Sequence, residues 1–486
     1  MLNTILELVL AAIPLVSVLI IDIFFSEIKP FIHGIVAIQF FCCFVLLGRR
    51  LKKGMLAYQP ARLAFLGGFL LWYAYPAFID IIYPSYMSPQ FSDLFNDKLK
   101  LRSMSFMAAF MFFGLLAELL SSTLRGKRKP KPTIEVWSSS RTIVRGSLIF
   151  CGIGLIPYPL LGGSLTAVVQ GILQSRASAK PWLPLSNLGT QTSAILFLAS
   201  CALVAGTSML WLTTCDARLS VKTRISLGFL AIILTCIIFF DQGTRSVIGL
   251  ILLPVIGLIF TRRNQRKRVL KILVCAGLGI TMILLLQFQV LYRSAFTRSD
   301  LSSNFFIRIL TLDRNIDYYQ ETLLAVALVP AYHDFFRESV LFQFFTSPIP
   351  RFIWPAKPSA RLVWFYSLFR WNVDIDETGG NVFPGIIGQF YMSWGWGGPI
   401  IAGILMGWLA ASIGHWFFRF SPGGDDYLAG VGFMAIVWYF ICFRNFGASF
   451  FYPIIFALSI TILSRQKVRI ESGNVSYGRY SGTIVP

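Results

Sequence analysis

Long apolar runs, repeated along the chain at close to the length of a bilayer-spanning helix, constrain this sequence more than any other feature. A hydrocarbon core about 30 Å thick needs roughly 20 apolar residues per helix. Twelve runs near that length occur, at 4 to 25, 31 to 48, 62 to 83, 103 to 124, 143 to 161, 191 to 213, 225 to 240, 246 to 261, 270 to 291, 396 to 418, 427 to 442 and 447 to 464. With 56% hydrophobic and only 13% charged residues in 486, the bilayer must be the main solvent. The expected fold is all-α, a polytopic membrane bundle of about twelve transmembrane helices. The first run has neither a basic leader nor a small-residue cleavage site, so it reads as a retained helix rather than a signal peptide.

Orientation follows from lysine and arginine, which short cytoplasmic loops retain during insertion. The richest connections are RRLKKG at 49 to 54, LRGKRKPKP at 124 to 132, RRNQRKR at 262 to 268 and SRQKVR at 464 to 469. All four fall on one side if both termini are cytoplasmic. That placement also absorbs the net charge of +21, so nucleic acid is not an expected partner. The cysteines lie in or beside apolar runs, with no CxxC pair and no disulfide framework. Four parts result: helices one to nine over 1 to 291, a long outer loop over 292 to 395, helices ten to twelve over 396 to 464, and a cytoplasmic tail over 465 to 486.

The outer loop carries the chemistry. It contains short apolar stretches at 322 to 332 and 339 to 345, too short to cross a membrane and expected to lie in the interface or dip into it. Its eight arginines (Arg293, Arg298, Arg308, Arg314, Arg337, Arg351, Arg361 and Arg370) stand against a single lysine, Lys357, and nine acids. A bulk electrostatic role needs no such choice, whereas a planar guanidinium grips phosphate or carboxylate with two hydrogen bonds. Ordinary ion pairs tying the loop to its bundle account equally well for any one of them. Arg245 in DQGTRS sits in a short outer turn, where a cation opposes the insertion rule and gains nothing from the helix dipole. Arg351, in TSPIPRFIWPAKPSARLVW, lies between Pro350 and Pro355, which restrict its backbone. Arg444 in FRNFG lies at another outer helix end.

Other signals are weaker. His333, with Asp334 beside it, is the outer loop's one histidine and a candidate base, although a lone histidine is more often a satisfied polar residue. Trp354, Trp364, Tyr366, Trp371, Tyr391, Trp394 and Trp396 suit the apolar faces of sugars and equally an interfacial aromatic belt. Asp374 and Asp376 spell DxD, a pattern of low complexity, and Gly403 and Gly407 form a GxxxG helix-packing motif.

The order DQGTRSVIG, then IPRFIWPAKP in a long outer loop, then GIIGQFYMSWGWGGP leading into a helix resembles the oligosaccharide repeat unit polymerases, the O-antigen polymerase family of the bacterial inner membrane. The resemblance implies a GT-C-like, multi-pass glycosyltransferase with a periplasmic loop. Such enzymes move a growing glycan from one undecaprenyl diphosphate to the sugar end of a second lipid-linked repeat unit, with the lipid carrier as substrate and leaving group and no other cofactor or metal. Its expected partners are lipid-linked oligosaccharides, membrane lipids, a flippase and a chain-length regulator. On that basis Arg245, Arg351 and His333 are the catalytic candidates, and Arg293, Arg298, Arg314, Lys357, Arg361, Gln389, Tyr391 and Arg444 the substrate-binding ones. One departure is visible: the family's third motif often reads Gly-Glu before the aromatic, whereas Gln389 follows Gly388 here, and if that Glu acts as a base in the family, an amide cannot. A ligase that moves the glycan to a lipid A core would use similar arginine chemistry. A flippase would instead need paired broken helices at midplane.

The topology is directly testable. Alkaline phosphatase fused after residue 486 should be inactive and a fluorescent protein fused there should fluoresce, while phosphatase inserted between residues 372 and 382 should be active. The reverse pattern would invert the chain.

Overall fold

The computed structural model describes residues 2–25, 27–53, 55, 59–82, 95–126, 136–173, 193–242, 245–261, 318–336, 340–350, 353–355, 357, 361–371, 383–420, 426–447 and 450–467. They form a helical bundle. In chain order come α1 (Leu2–Phe24), α2 (Lys29–Lys52), α3 (Pro60–Phe69), a π-helical turn (Leu70–Ala74), α4 (Tyr75–Ile82) and α5 (Asp97–Gly126). Next are strand β1 (Val136–Ser138), α6 (Ser140–Leu155), α7 (Pro157–Gly162), α8 (Leu165–Leu173), α9 (Ser193–Thr214), α10 (Val221–Gln242) and α11 (Arg245–Thr261). The remainder is α12 (Tyr318–Leu328), α13 (Val340–Thr346), α14 (Arg361–Trp371), α15 (Gly385–Trp394), α16 (Gly397–Phe420), α17 (Asp426–Cys442), α18 (Tyr452–Leu463) and strand β2 (Arg465–Lys467).

Among the described residues, eight helices are long and apolar enough to cross a membrane: 4–24, 29–52, 60–82, 97–124, 140–162, 194–214, 221–241 and 397–416. Three more apolar helices, at 246–259, 426–442 and 452–463, are shorter, and the expected run at 270 to 291 lies outside the described residues. Two boundaries differ from the hydropathy reading for local reasons. Helix α10 starts four residues early because the Ser220 hydroxyl accepts from the Thr223 amide at 3.2 Å and caps it. Helix α18 starts late, with Pro453 in its first turn, where a missing amide costs nothing. The stretch at 322 to 332 is packed inside the bundle: Leu323 and Ala325 of α12 are fully buried, with α5, α15 and the π-helical turn packed around the helix.

The main seam of the bundle joins α5 to α16. A Cβ on Gly403 would meet the Phe110 carbonyl oxygen at 2.4 Å, and one on Gly407 would meet that of Gly114 at 1.8 Å. Only glycine permits that approach, so the GxxxG pattern does pack helices and its partner is α5. The α6–α9 pair forms a second close seam, α11 and α18 pack on α9, and α17 bridges the two groups through α16, α3 and α11. Side chains such as Val9, Phe44 and Phe229 point outward and exposed, as contact with hydrocarbon requires.

One end of the bundle is locked by charge. Fully buried Arg50 pairs with Glu118 at 2.8 Å and Glu7 at 2.9 Å; Lys53 reaches Glu7 at 2.9 Å, and Arg62 pairs with Glu118. These groups tie together the start of α1, the end of α2, the start of α3 and the end of α5. Asp216 forms a second knot, accepting from Ser140, from the Tyr427 hydroxyl at 2.7 Å and from Arg218 at 3.0 Å. Burial opposes the Asp216 charge, but the donors from Arg218, Ser140 and Tyr427 outweigh it and hold the carboxyl well below the usual range. That knot joins the end of α9 to the starts of α6 and α17, and the antiparallel β1–β2 pair fastens the end of α18 beside it.

Gly407→Val should abolish folded protein in detergent, because its Cβ would lie inside a backbone carbonyl. Gly67→Ala, with nothing within 4 Å of the added methyl, should retain folding and gain up to about 1 kcal/mol of helix propensity. Size-exclusion profiles and melting curves of the two variants check this.

Candidate functional site

At the opposite end, the π-helical turn, α12, α15 and the FRNFG segment after α17 converge. Their junction is built on backbone hydrogen bonds. The Tyr73 hydroxyl donates to the Phe443 carbonyl at 2.9 Å, and the Ile386 amide donates to the same oxygen at 3.1 Å. Gly385 starts α15 at φ 69°, where a Cβ would strike the Tyr73 hydroxyl at 2.4 Å. Gln389 completes the joint: its amide nitrogen donates to Asn445 Oδ1 and its oxygen accepts from the Phe446 amide, both at 3.3 Å. Gln389 is therefore a buried clamp on the FRNFG turn.

That clamp fixes Arg444. The Arg444 residue is half-buried and its charge acts on the hydroxyl of Tyr318, the first residue of α12. Among the described residues no carboxylate pairs with it. Burial pushes the Tyr318 phenol up to about 12, with Arg444 pulling the other way, so Tyr318 stays a neutral partner at physiological pH.

Arg370 behaves differently. Its Nε donates to Glu321 Oε1 at 3.1 Å, and Tyr366 donates to the other carboxylate oxygen and to the Glu321 carbonyl at 3.1 Å. Burial first, and then the Glu321 charge, raises Tyr366 well above the usual phenol range. This triad ties α14 to α12. Tyr318 and Glu321, three residues apart, lie on one side of α12.

The remaining candidates are spread out. His333 is exposed beyond the far end of α12, an eleven-residue helix about 16 Å long, so it does not meet Arg444 near Tyr318. Its ring stacks on Phe336 at 4.2 Å, and its Nδ1 lies 2.5 Å from the Asp334 carbonyl. Tyr391 is buried and donates to the Val329 carbonyl at 2.9 Å while Arg102, which the sequence reading passed over, approaches its hydroxyl. Arg102 also lies over Trp396 at 5.4 Å. Lys357 donates to the Ser347 carbonyl at 2.9 Å and that of Ile349 at 3.1 Å, folding the proline-rich segment into a turn closed by Pro350 accepting from Ile353 and Trp354. Arg245 and Arg361 are the first residues of α11 and α14. Arg293, Arg298, Arg314 and Arg351 lie outside the described residues.

Comparison with protein-family models, with curated proteins and with solved structures returns no match. The chemistry of the site must therefore speak for itself: a half-buried arginine at a helix end, beside a neutral phenol and held by a rigid turn, is available to an anion.

Tyr366→Phe should leave Glu321 short of one donor and lower stability by about 1.5–3 kcal/mol, the range for a hydrogen bond to a charged group. The melting temperature of the purified variant checks this; an unchanged value would mean that water replaces the hydroxyl.

Proposed function

We propose that this chain is a membrane glycosyltransferase that polymerises undecaprenyl-diphosphate-linked oligosaccharide repeat units into O-antigen or exopolysaccharide. In this reading twelve helices span the bacterial inner membrane, both termini are cytoplasmic, and the end bearing Arg444 faces the periplasm. The observation that carries the reading is the state of Arg444. It is positioned by the Gln389–Asn445 clamp, partly removed from water and free of any carboxylate among the described residues. A glycosyl transfer from a lipid diphosphate develops negative charge on the leaving group, and a preorganised guanidinium strengthens its grip as that charge grows. The three sequence patches support the same reading, with Arg245 and Arg351 as further arginines for the diphosphate. Lateral access for two lipid substrates suits a site built at a bundle end, and aligning them removes several kcal/mol of entropic barrier.

Purified protein in vesicles, supplied with a synthetic undecaprenyl-diphosphate-linked repeat unit, should give a ladder of products. Arg444→Ala should lower the elongation rate by about 10²–10³, the usual effect of losing one preorganised donor, and Arg444→Lys should recover only part of it. Arg245→Ala and Arg351→Ala should also lose the ladder while remaining folded. Lipid translocation across the vesicle without any ladder would establish transport instead.

A further inference from the structure

Two polar atoms in the rod formed by α3, the π-helical turn and α4 are buried and have no hydrogen-bond partner among the described residues: Trp72 Nε1 and Asp80 Oδ1. In an unbroken α-helix, eight residues leave two side chains about 80° apart. The π-helical turn at Leu70–Ala74, with its wider i→i+5 repeat, advances each residue by less than an α-helix does and so narrows that offset. Trp72 packs edge-on at 5.6 Å against Tyr318, the residue beside Arg444. Lys100 on α5 is the charged group acting on Asp80. One buried donor and one buried acceptor, both unsatisfied in a membrane-spanning rod, are costly to maintain unless a ligand completes them. A sugar carries several hydroxyls, each both donor and acceptor, so different hydroxyls of one sugar supply what each of these atoms lacks.

Resting on the polymerase reading above, we propose that Asp80 is the base that receives the proton of the acceptor hydroxyl, with the Trp72 indole N–H holding the same sugar. The acceptor oxygen forms the new bond to the anomeric carbon as its proton passes to the Asp80 carboxylate. The bond from that carbon to the diphosphate breaks, and its electron pair leaves on the lipid diphosphate, where Arg444 meets the charge. Tyr73, bonded to Phe443 beside Arg444, lies on the same rod seven residues before Asp80, roughly 10 Å along the helix axis. Asp80 takes the place of His333, which stands exposed beyond the far end of α12, and of Glu321, which Arg370 and Tyr366 engage.

The test uses the full chain in vesicles with the synthetic lipid-linked repeat unit. Asp80→Asn should lose elongation by about 10²–10⁴, the contribution of a positioned base, while native mass spectrometry shows the lipid diphosphate still bound. Asp80→Ala should regain at least tenfold in elongation rate with added formate, which supplies a carboxylate to the vacated space; a purely structural role would show no such rescue. Asp80→Asn within threefold of the parent, or folded Asp80→Ala unresponsive to formate, would overturn the assignment while leaving the polymerase reading intact. If no neutral variant at this position folds, as read from its melting curve, Asp80 is structural and the proposal fails. A parent protein that makes no ladder would remove the polymerase reading, and this assignment with it.

Discussion

The contact between α5 and α16 sets the geometry on which everything else rests. In a bilayer there is no hydrophobic drive to bring two apolar helices together, so close packing has to do that work, and close packing needs small residues. With Gly403 and Gly407 laid against the carbonyl oxygens of Phe110 and Gly114, the two backbones approach as nearly as helices can. A fixed α5 then positions the helices stacked on it. Helix α1 lies along one side, α3 touches α16 from another, and α12 enters between α5 and α15. The site at one end of the bundle follows from this seam, since α15 runs directly into α16 through Gly395 and the tight turn there.

The two ends of the bundle use charge in opposite ways. At the Arg50 end, buried Arg50 and Arg62 each have a carboxylate, with Arg50 shared between Glu7 and Glu118. Such a network adds little net stability over apolar packing, but it penalises any arrangement that separates its members, because each would then be an uncompensated buried charge. Helix α2 therefore has one allowed height against α1, α3 and α5. At the Arg444 end, Arg370 pairs with Glu321 and holds α14 in place, while Arg444 meets no carboxylate among the described residues.

Much of this architecture was legible in hydropathy, for a physical reason: spanning length and loop charge are set by the solvent and not by the partner helices. The runs at 31 to 48 and 103 to 124 became α2 and α5, and Gly403 with Gly407 was recognisable as a packing motif although its partner was not. What stayed hidden depends on three-dimensional partners. Arg50 reads as one more cation of a basic loop, yet it is fully buried, because Glu7 and Glu118 are brought to it from 43 and 68 residues away. Lys357, Gln389 and Tyr391 have the right chemistry for a ligand, but hydrogen bonds to Ser347, Asn445 and Val329 give them local duties that no spacing announces. The π-helical turn at Leu70–Ala74, which re-aims Trp72 and Asp80, leaves no mark on the hydropathy profile.

The choice of a tyrosine rather than an acid beside Arg444 has an energetic consequence. An ion pair about 4 Å apart near a protein surface is worth about 4 kcal/mol at an effective dielectric of 20. Had Tyr318 been an aspartate, an arriving anion would have had to break that pair or bind against its negative charge. A phenol beside the guanidinium keeps its own proton because burial raises its pKa, and leaves the full positive charge available. Glu321, three residues further along α12, is kept from that role by Arg370 and Tyr366, whose bonds turn its carboxylate toward α14. One short helix thus presents a neutral group to Arg444 and an occupied acid to Arg370.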